Sequence, residues 1–346
     1  MLSPLALVVI IISLALLYDF LNGANDSANA IATVIATKAL TPLKALALAS
    51  VFNLIGALAF EAVAKTIGKG IVPPESLPAS IFLVVIISGL LGAIIWTYTC
   101  TSLGIPISVT HSLVGGLLGA GIVAGGLGII NWEVLTNKVF LAIMLGPFVG
   151  FIAGALLFSL INWVLYLFFK RTPSAATEAV FKKLQIISSS FMAFSHGMND
   201  TQNAMGVIAA SLIVGRFILV EQPEHFFVPW WVKIMCGSVM ALGTFLLGSR
   251  VIRTMGWRLT KLEPKHGFSA ETGASLAVVG VSLAGMPVST THVLGSAVIG
   301  GTFFQSLRRI RWSEVGKMFT AWVITIPLSA IIGAVAYGVA AWLLIY

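Results

Sequence analysis

The chain is 346 residues long, with 58% of them drawn from Ala, Val, Ile, Leu, Met, Phe, Trp, Tyr and Cys, only 9% charged, and a mean hydropathy of +1.02. Soluble domains carry about a quarter charged residues, so an ordinary soluble enzyme, a nucleic-acid-binding module and a disordered chain are excluded. The net charge of +8 acquires meaning only from where the lysines and arginines fall, and Cys100 and Cys236 sit in apolar runs without metal-ligand spacing.

In chain order, apolar stretches of spanning length fall at 4–37, 43–63, 79–127 and 134–169, then at 184–220, 230–249, 268–306 and 314–346. Polar motifs interrupt the first and third stretch of each set. A helix crosses hydrocarbon in about 20 residues, which predicts an all-α polytopic membrane protein of about ten to twelve transmembrane elements, some broken or re-entrant. No Lys or Arg precedes Lys38, so the first stretch is expected to remain a membrane element rather than a cleaved signal.

The two sets are related. NGANDSANA (Asn22 to Ala30) aligns with HGMNDTQNA (His196 to Ala204) at an offset of 174, and GIPISVTH (Gly104 to His111) with GMPVSTTH (Gly285 to His292) at an offset of 181. Trp132 and Pro147 pair with Trp312 and Pro327 at an offset of 180. Matches in one order at nearly one offset indicate a duplication, with repeats over 1–169 and 184–346 joined by a short basic linker, 170–183.

The linker carries Lys170, Arg171, Lys182 and Lys183, which the positive-inside rule places in the cytoplasm. Counting crossings from there puts Lys38, Lys44, Arg250, Arg253, Arg258, Lys261, Lys265, Arg308, Arg309, Arg311 and Lys317 on the same side. Only Lys65, Lys69, Lys138, Arg216 and Lys233 fall outside, together with both termini. Each half then crosses an odd number of times, so the repeats are inverted, and the chain is expected in the cell membrane. The positive charge is used in orientation and gives no support to nucleic acid.

Inverted repeats with broken helices are the architecture of secondary transporters, with the substrate near the midplane. The chain has only three aspartates, Asp19, Asp26 and Asp200, all in apolar segments, where a carboxylate must be protonated, paired or bound to a cation. Asn25, Asn29, Asn199 and Asn203 accompany the last two, and Gly23 and Gly197 suit an unwound turn. Hard oxygen ligands suit Na⁺ or H⁺. In the second motif pair, Pro106, Ser108, Thr110, His111 and Ser112 answer to Pro287, Ser289, Thr290, Thr291 and His292. Proline at the first helical position amid hydroxyls marks a helix start, and a helix N-terminus inside a membrane attracts an anion.

These motifs resemble the signatures of the inorganic phosphate transporter family, the cation-coupled phosphate symporters and permeases, over essentially the whole chain. The resemblance implies symport of inorganic phosphate with Na⁺ or H⁺, no enzymatic activity and no further cofactor. By position it nominates Asp26, Asp200, Asn25, Asn29, Asn199 and Asn203 as cation ligands, with Na⁺ at the two aspartates. Ser108, Thr110, Ser112, Gln202, Ser289, Thr290 and Thr291 become phosphate candidates, while Glu61, Glu271, His111, His292 and Asp19 rank second. His111, His196 and His292 are read equally as capping or core groups. A sulfate or other oxyanion permease and an uncoupled channel are the rival functions, and self-association in the bilayer stays open.

Overall fold

The computed structural model describes residues 2–218, 226–247, 252 and 262–344, with the side chains of 27–29 and 344 excepted. Arg250, Arg253, Arg258 and Lys261, which enter the charge count, lie outside the described residues. Among the described residues every regular element is helical.

Helix α1 (Pro4–Asn25) begins at Ser3, whose hydroxyl accepts from Ala6 N at 3.2 Å, with Pro4 following the cap. It yields at Asp26 to α2 (Ser27–Ala36), and because Asp26 keeps right-handed helical angles (φ −85°, ψ −36°) the two run on as one span, Pro4–Ala36. The helices α3 (Pro42–Ala59), α4 (Ala62–Gly70), α5 (Ala79–Leu103) and α6 (Val109–Gly125) follow. Helix α7 (Trp132–Phe168) contains a π-helical turn at Leu135–Phe140 and Pro147. The second half comprises α8 (Ser174–Val214), α9 (Trp230–Leu247), α10 (Pro264–Leu283), α11 (Thr290–Phe303) and α12 (Trp312–Leu344). The stretch read as linker is helical from Ser174 onward, stiffened by a 2.8 Å Lys182–Glu178 ion pair one turn apart.

Among the described residues six helices are long and apolar enough to cross a membrane: Pro4–Ala36, α3, α5, α7, α9 and α12. Helix α8 falls outside this set for a physical reason. Its middle carries Gln185, Ser188, Ser189, His196, Asn199, Asp200, Gln202 and Asn203, all buried among other helices, and intramembrane polar groups are tolerated where protein surrounds them. On α7 and α12, by contrast, Met144, Phe148, Leu156, Val323, Ile331 and Val335 are exposed, which is the face a bilayer covers. The chain is a multi-pass membrane protein.

The third stretch of each half breaks as expected, between Leu103 and Val109 and between Leu283 and Thr290. The first stretch of neither half unwinds at its glycine: Gly23 lies within α1, which runs on through Asp26 into α2. Helix α8 runs unbroken through His196, Gly197 and Asp200, so the unwound turn expected there is corrected. Gly197 serves close approach instead: a Cβ on it would fall 2.1 Å from Asn53 O of α3, just as one on Gly23 would fall 2.2 Å from Met240 O of α9.

Packing interlocks the halves. α1 lies on α9 and α8 on α3, while α5 packs between α1, α6 and α12, and α10 between α7, α8 and α11. The last helix of each half leaves its own half: α12 packs on α6 and α7 on α11. Small residues four apart make both contacts, as in membrane helix pairs generally. A Cβ on Gly119 would fall 1.9 Å from Ala330 O, and one on Gly154 would fall 2.2 Å from Ala297 O, with Gly115 and Gly150 one turn before them equally tight.

Candidate functional site

Two helix starts meet near the centre of the molecule. α5 ends on Gly104 at φ 69°, and Gly285 after α10 has φ 70°; this left-handed conformation suits glycine. A short extended segment follows each, and the next helix opens on a serine cap. Ser108 Oγ accepts from His111 N at 3.2 Å and Ser289 Oγ from His292 N at 3.3 Å. Pro106 and Pro287 stand two residues before these caps, outside the helices, which corrects their expected place at the first helical position. A proline cannot extend α5 or α10 and keeps the segment extended.

Asn25 and Asn199 hold these segments in place. Asn25 Nδ2 donates to Thr101 Oγ1 at 2.8 Å and Ile105 O at 3.4 Å, while its Oδ1 accepts from Ile107 N at 3.4 Å. Asn199 repeats the pattern, donating to Val288 O at 2.6 Å and accepting from Val288 N at 3.4 Å and Ser282 Oγ at 2.9 Å. Both amides brace the extended segments, and Asn199 also donates to the Asp200 carboxylate.

The aspartates lie next to the new helix starts. Asp26 Oδ2 accepts from Val109 N, the first residue of α6, at 3.2 Å, and Oδ1 accepts from Thr291 Oγ1 of α11 at 2.7 Å. Asp200 accepts from Thr290 Oγ1 at 3.3 Å and from Asn199 Nδ2, and its Oδ2 lies 3.2 Å from His196 Nε2. His196 Nδ1 in turn contacts Asn53 Oδ1 at 3.0 Å, and Asn53 Nδ2 donates to Thr244 Oγ1 at 3.2 Å. Asp26, His196 and Asp200 each offer a ligand atom within 4.8 Å of the others. Across this cluster Asn203 Nδ2 donates to Thr110 Oγ1 at 2.8 Å. The rings of His111 and His292 meet edge to face at 4.7 Å, so the first turns of α6 and α11 face each other over the carboxylates. Each helix start brings backbone N–H groups without intrahelical partners and a positive dipole end. The centre therefore offers anionic oxygens beside anion-attracting helix ends, both closed to solvent.

The model of the phosphate transporter family matches residues 22–333. The chain belongs to the phosphate transporter family. Among relatives of this family member is a protein of Rhizobium meliloti, 41% identical over 96% of this chain and 96% of its own length. Another, from Bacillus subtilis, is 38% identical over 96% and 97%. Both are named as a probable low-affinity inorganic phosphate transporter. A solved structure named as the sodium-dependent phosphate transporter superposes with a TM-score of 0.90 at 27% identity, covering 98% of this chain and all of that one. The family and these relatives are transporters rather than enzymes.

In this phosphate transporter family member the remaining nominated residues divide. Gln202 is consumed structurally: its Oε1 accepts from Val63 N at 2.7 Å and Ala64 N at 3.0 Å, capping α4, and its Nε2 donates to Met198 O. Ser112 donates to Ser108 O at 3.2 Å within its own helix. Glu61 stands apart, partly exposed, with Lys233 Nζ at 2.8 Å. Glu271 is buried away from the cluster and accepts from Thr33 Oγ1, Ser188 Oγ and, at 3.5 Å, Gln185 Nε2. Thr37 Oγ1, donating to Gln185 Oε1 at 2.6 Å, connects this group to a cavity of about 500 Å³ lined by Lys38, Lys182 and Lys265. The side chain of Asn29 lies outside the described residues. His196 is the member that sequence ranking undervalued; its spacing of four residues from Asp200, one helical turn, is the signal that points to it.

Proposed function

We propose that the chain is a secondary active transporter that carries inorganic phosphate into the cell together with Na⁺. The observation that carries this reading is the meeting of Asp26, His196 and Asp200 with the starts of α6 and α11. The two carboxylates bind the cations, and their positive charge, added to the two helix ends, attracts phosphate. Thr110 and the first-turn N–H groups supply neutral donors to its oxygens, and Thr290 and Thr291, which donate to the carboxylates in this structure, turn their single O–H groups to phosphate once cations neutralise Asp26 and Asp200. Co-binding cancels most of the charge that must leave water. Na⁺ is preferred over H⁺ because the structural neighbour is named as sodium-dependent.

The two halves, 1–169 and 184–346, act as inverted repeats in the cell membrane, with residues 170–183 cytoplasmic and both termini outside. Supporting this is the recurrence of equivalent packings, α1 on α9 beside α8 on α3, and α6 on α12 beside α11 on α7. Alternating access follows from rocking one bundle against the other around the fixed site.

The test is uptake of labelled phosphate into proteoliposomes under an inward Na⁺ gradient, an inward H⁺ gradient or none, with excess sulfate as competitor. Concentrative, sulfate-resistant uptake under the Na⁺ gradient is expected. Mere equilibration under every condition would make the protein a channel, uptake driven by H⁺ alone would reassign the coupling ion, and full competition by sulfate would reassign the substrate.

A further inference from the structure

One group of buried polar atoms takes no part in the site above. Asp19 and Asn22 on α1 and Thr97 on α5 are each fully buried. Both carboxylate oxygens of Asp19, both side-chain polar atoms of Asn22 and the hydroxyl of Thr97 lack a hydrogen-bond partner among the described residues. Elsewhere in the described interior Asn25, Asn53, Asn199 and Glu271 are engaged, and the other unpartnered buried atoms, such as Asn203 Oδ1 and Thr272 Oγ1, occur one to a residue. Buried polar atoms without partners mark a missing ligand or a functional group, and a carboxylate among apolar side chains must be neutralised.

Helical geometry places these atoms together. Asp19, Asn22 and Asp26 follow at spacings of three and four, on one face of α1. Asn22 approaches the Asp19 carboxylate, which also lies within electrostatic reach of Asp200, and neither oxygen of Asp19 has a hydrogen-bond partner among the described residues. α1 packs on α5, and the Asn25–Thr101 bond ties their C-terminal turns. One turn back on each helix are Asn22 and Thr97. The second half supports this register: the positions equivalent to Asp19 and Thr97 are Ala193 and Val278, and both belong to one apolar cluster. The same comparison sets the polar group apart. Where the second half places an alanine and a valine in one apolar cluster, the first half carries a carboxylate and a hydroxyl, while the position of Asn22 is held in the second half by His196 of the central cluster.

We propose that Asp19, Asn22 and Thr97 form a further Na⁺ site, separate from the Asp26–His196–Asp200 cluster and present only in the first half. The carboxylate, the Asn22 carbonyl oxygen and the Thr97 hydroxyl are hard oxygen donors of the kind a small monovalent cation takes. The site lies about 10 Å along α1 from Asp26, by the helical rise over seven residues. It rests on the reading of the protein as a Na⁺-coupled transporter, and it adds one cation to those held at the central cluster.

The test counts Na⁺. Binding of radiolabelled Na⁺ to the purified full-length protein is measured by scintillation proximity, with the Na⁺-to-phosphate ratio taken from reversal potentials in proteoliposomes. Asp19→Asn is expected to bind one Na⁺ fewer than the parent and to lower the coupling ratio by one. Thr97→Val, which keeps the carboxylate and adds no charge, is expected to weaken one Na⁺ several-fold while leaving the count intact at high Na⁺. An unchanged Na⁺ count in folded Asp19→Asn overturns the proposal, as does loss of H⁺ movement with the Na⁺ count unchanged, which would make Asp19 a proton carrier. If Asp19→Asn does not fold, an unaltered Na⁺ isotherm in Thr97→Val overturns it. Asp200→Asn serves as reference: if it keeps every Na⁺ while Asp19→Asn loses one, the central assignment fails and this one stands.

Discussion

Asp26 and Asp200, the proposed cation ligands, have surroundings that differ in a way that can be measured. Asp26 receives a backbone N–H and a threonine hydroxyl, whereas Asp200 faces a histidine, an amide and a hydroxyl. Charge-assisted contacts are worth about 1.5–3 kcal/mol each, so replacing Asp200 by Asn is expected to reduce Na⁺ affinity by about 10- to 100-fold and to abolish coupled uptake. Circular dichroism and gel filtration should find the variant folded; normal Na⁺-driven uptake by such a variant would remove Asp200 from the site. Thr291 touches Asp26 at 2.7 Å, so Thr291→Val is expected to raise the Na⁺ concentration for half-maximal uptake several-fold, and Thr291→Ser to restore it. An altered phosphate dependence with an unaltered Na⁺ dependence would assign the hydroxyl to the anion alone.

At the level of elements, the site depends on where helices stop and restart. Gln202 ends its reach at the start of α4, holding Val63 N and Ala64 N. Leaving buried donors unsatisfied costs about 1–3 kcal/mol, so Gln202→Ala is expected to lower thermal stability by that amount in a melting assay. Its phosphate affinity at low temperature should be close to that of the parent; a selective loss of phosphate binding would return Gln202 to the substrate site. Gly197→Ala tests the unbroken course of α8. Its Cβ would meet the Asn53 backbone at 2.1 Å, and overpacking of this kind costs about 1–3 kcal/mol, displacing α3 and with it the Asn53–His196 contact. A melting temperature equal to the parent's would mean that α8 and α3 are less tightly apposed.

The same elements show what the sequence could and could not reveal. The breaks at 104–108 and 285–289 were legible because a glycine, a proline and a capping serine stand in order, each with its own backbone reason. The unbroken α8 was not, because Gly197 has the same letter whether it frees the chain or admits a neighbour. Asp26 and Asp200 could be picked out as candidates from the cost of intramembrane carboxylates, and the structure brings them together. The bracing roles of Asn25 and Asn199 depend on contacts more than 75 residues away, which no local pattern contains.

For the whole molecule, orientation is the property that separates inverted from parallel halves. A cysteine introduced at Lys38 should react with a membrane-impermeant thiol reagent only from the cytoplasmic side, and one at Arg216, the exposed left-handed turn at the equivalent place in the second half, only from the outside. Cys100 and Cys236 are buried and should give little background. Labelling of both positions from one side would contradict the inverted arrangement. The exchange of α7 and α12 between the halves also bears on how the protein is made. Gly115 and Gly119 of α6 are shaped to receive Ser329 and Ala330, residues synthesised some two hundred positions later. Until the ribosome has delivered α12, the groove on α6 has no protein to fill it, so the amino-terminal half waits in the bilayer, inserted but unfinished. A chain cut short before Trp312 leaves open a wall of the half that was made first.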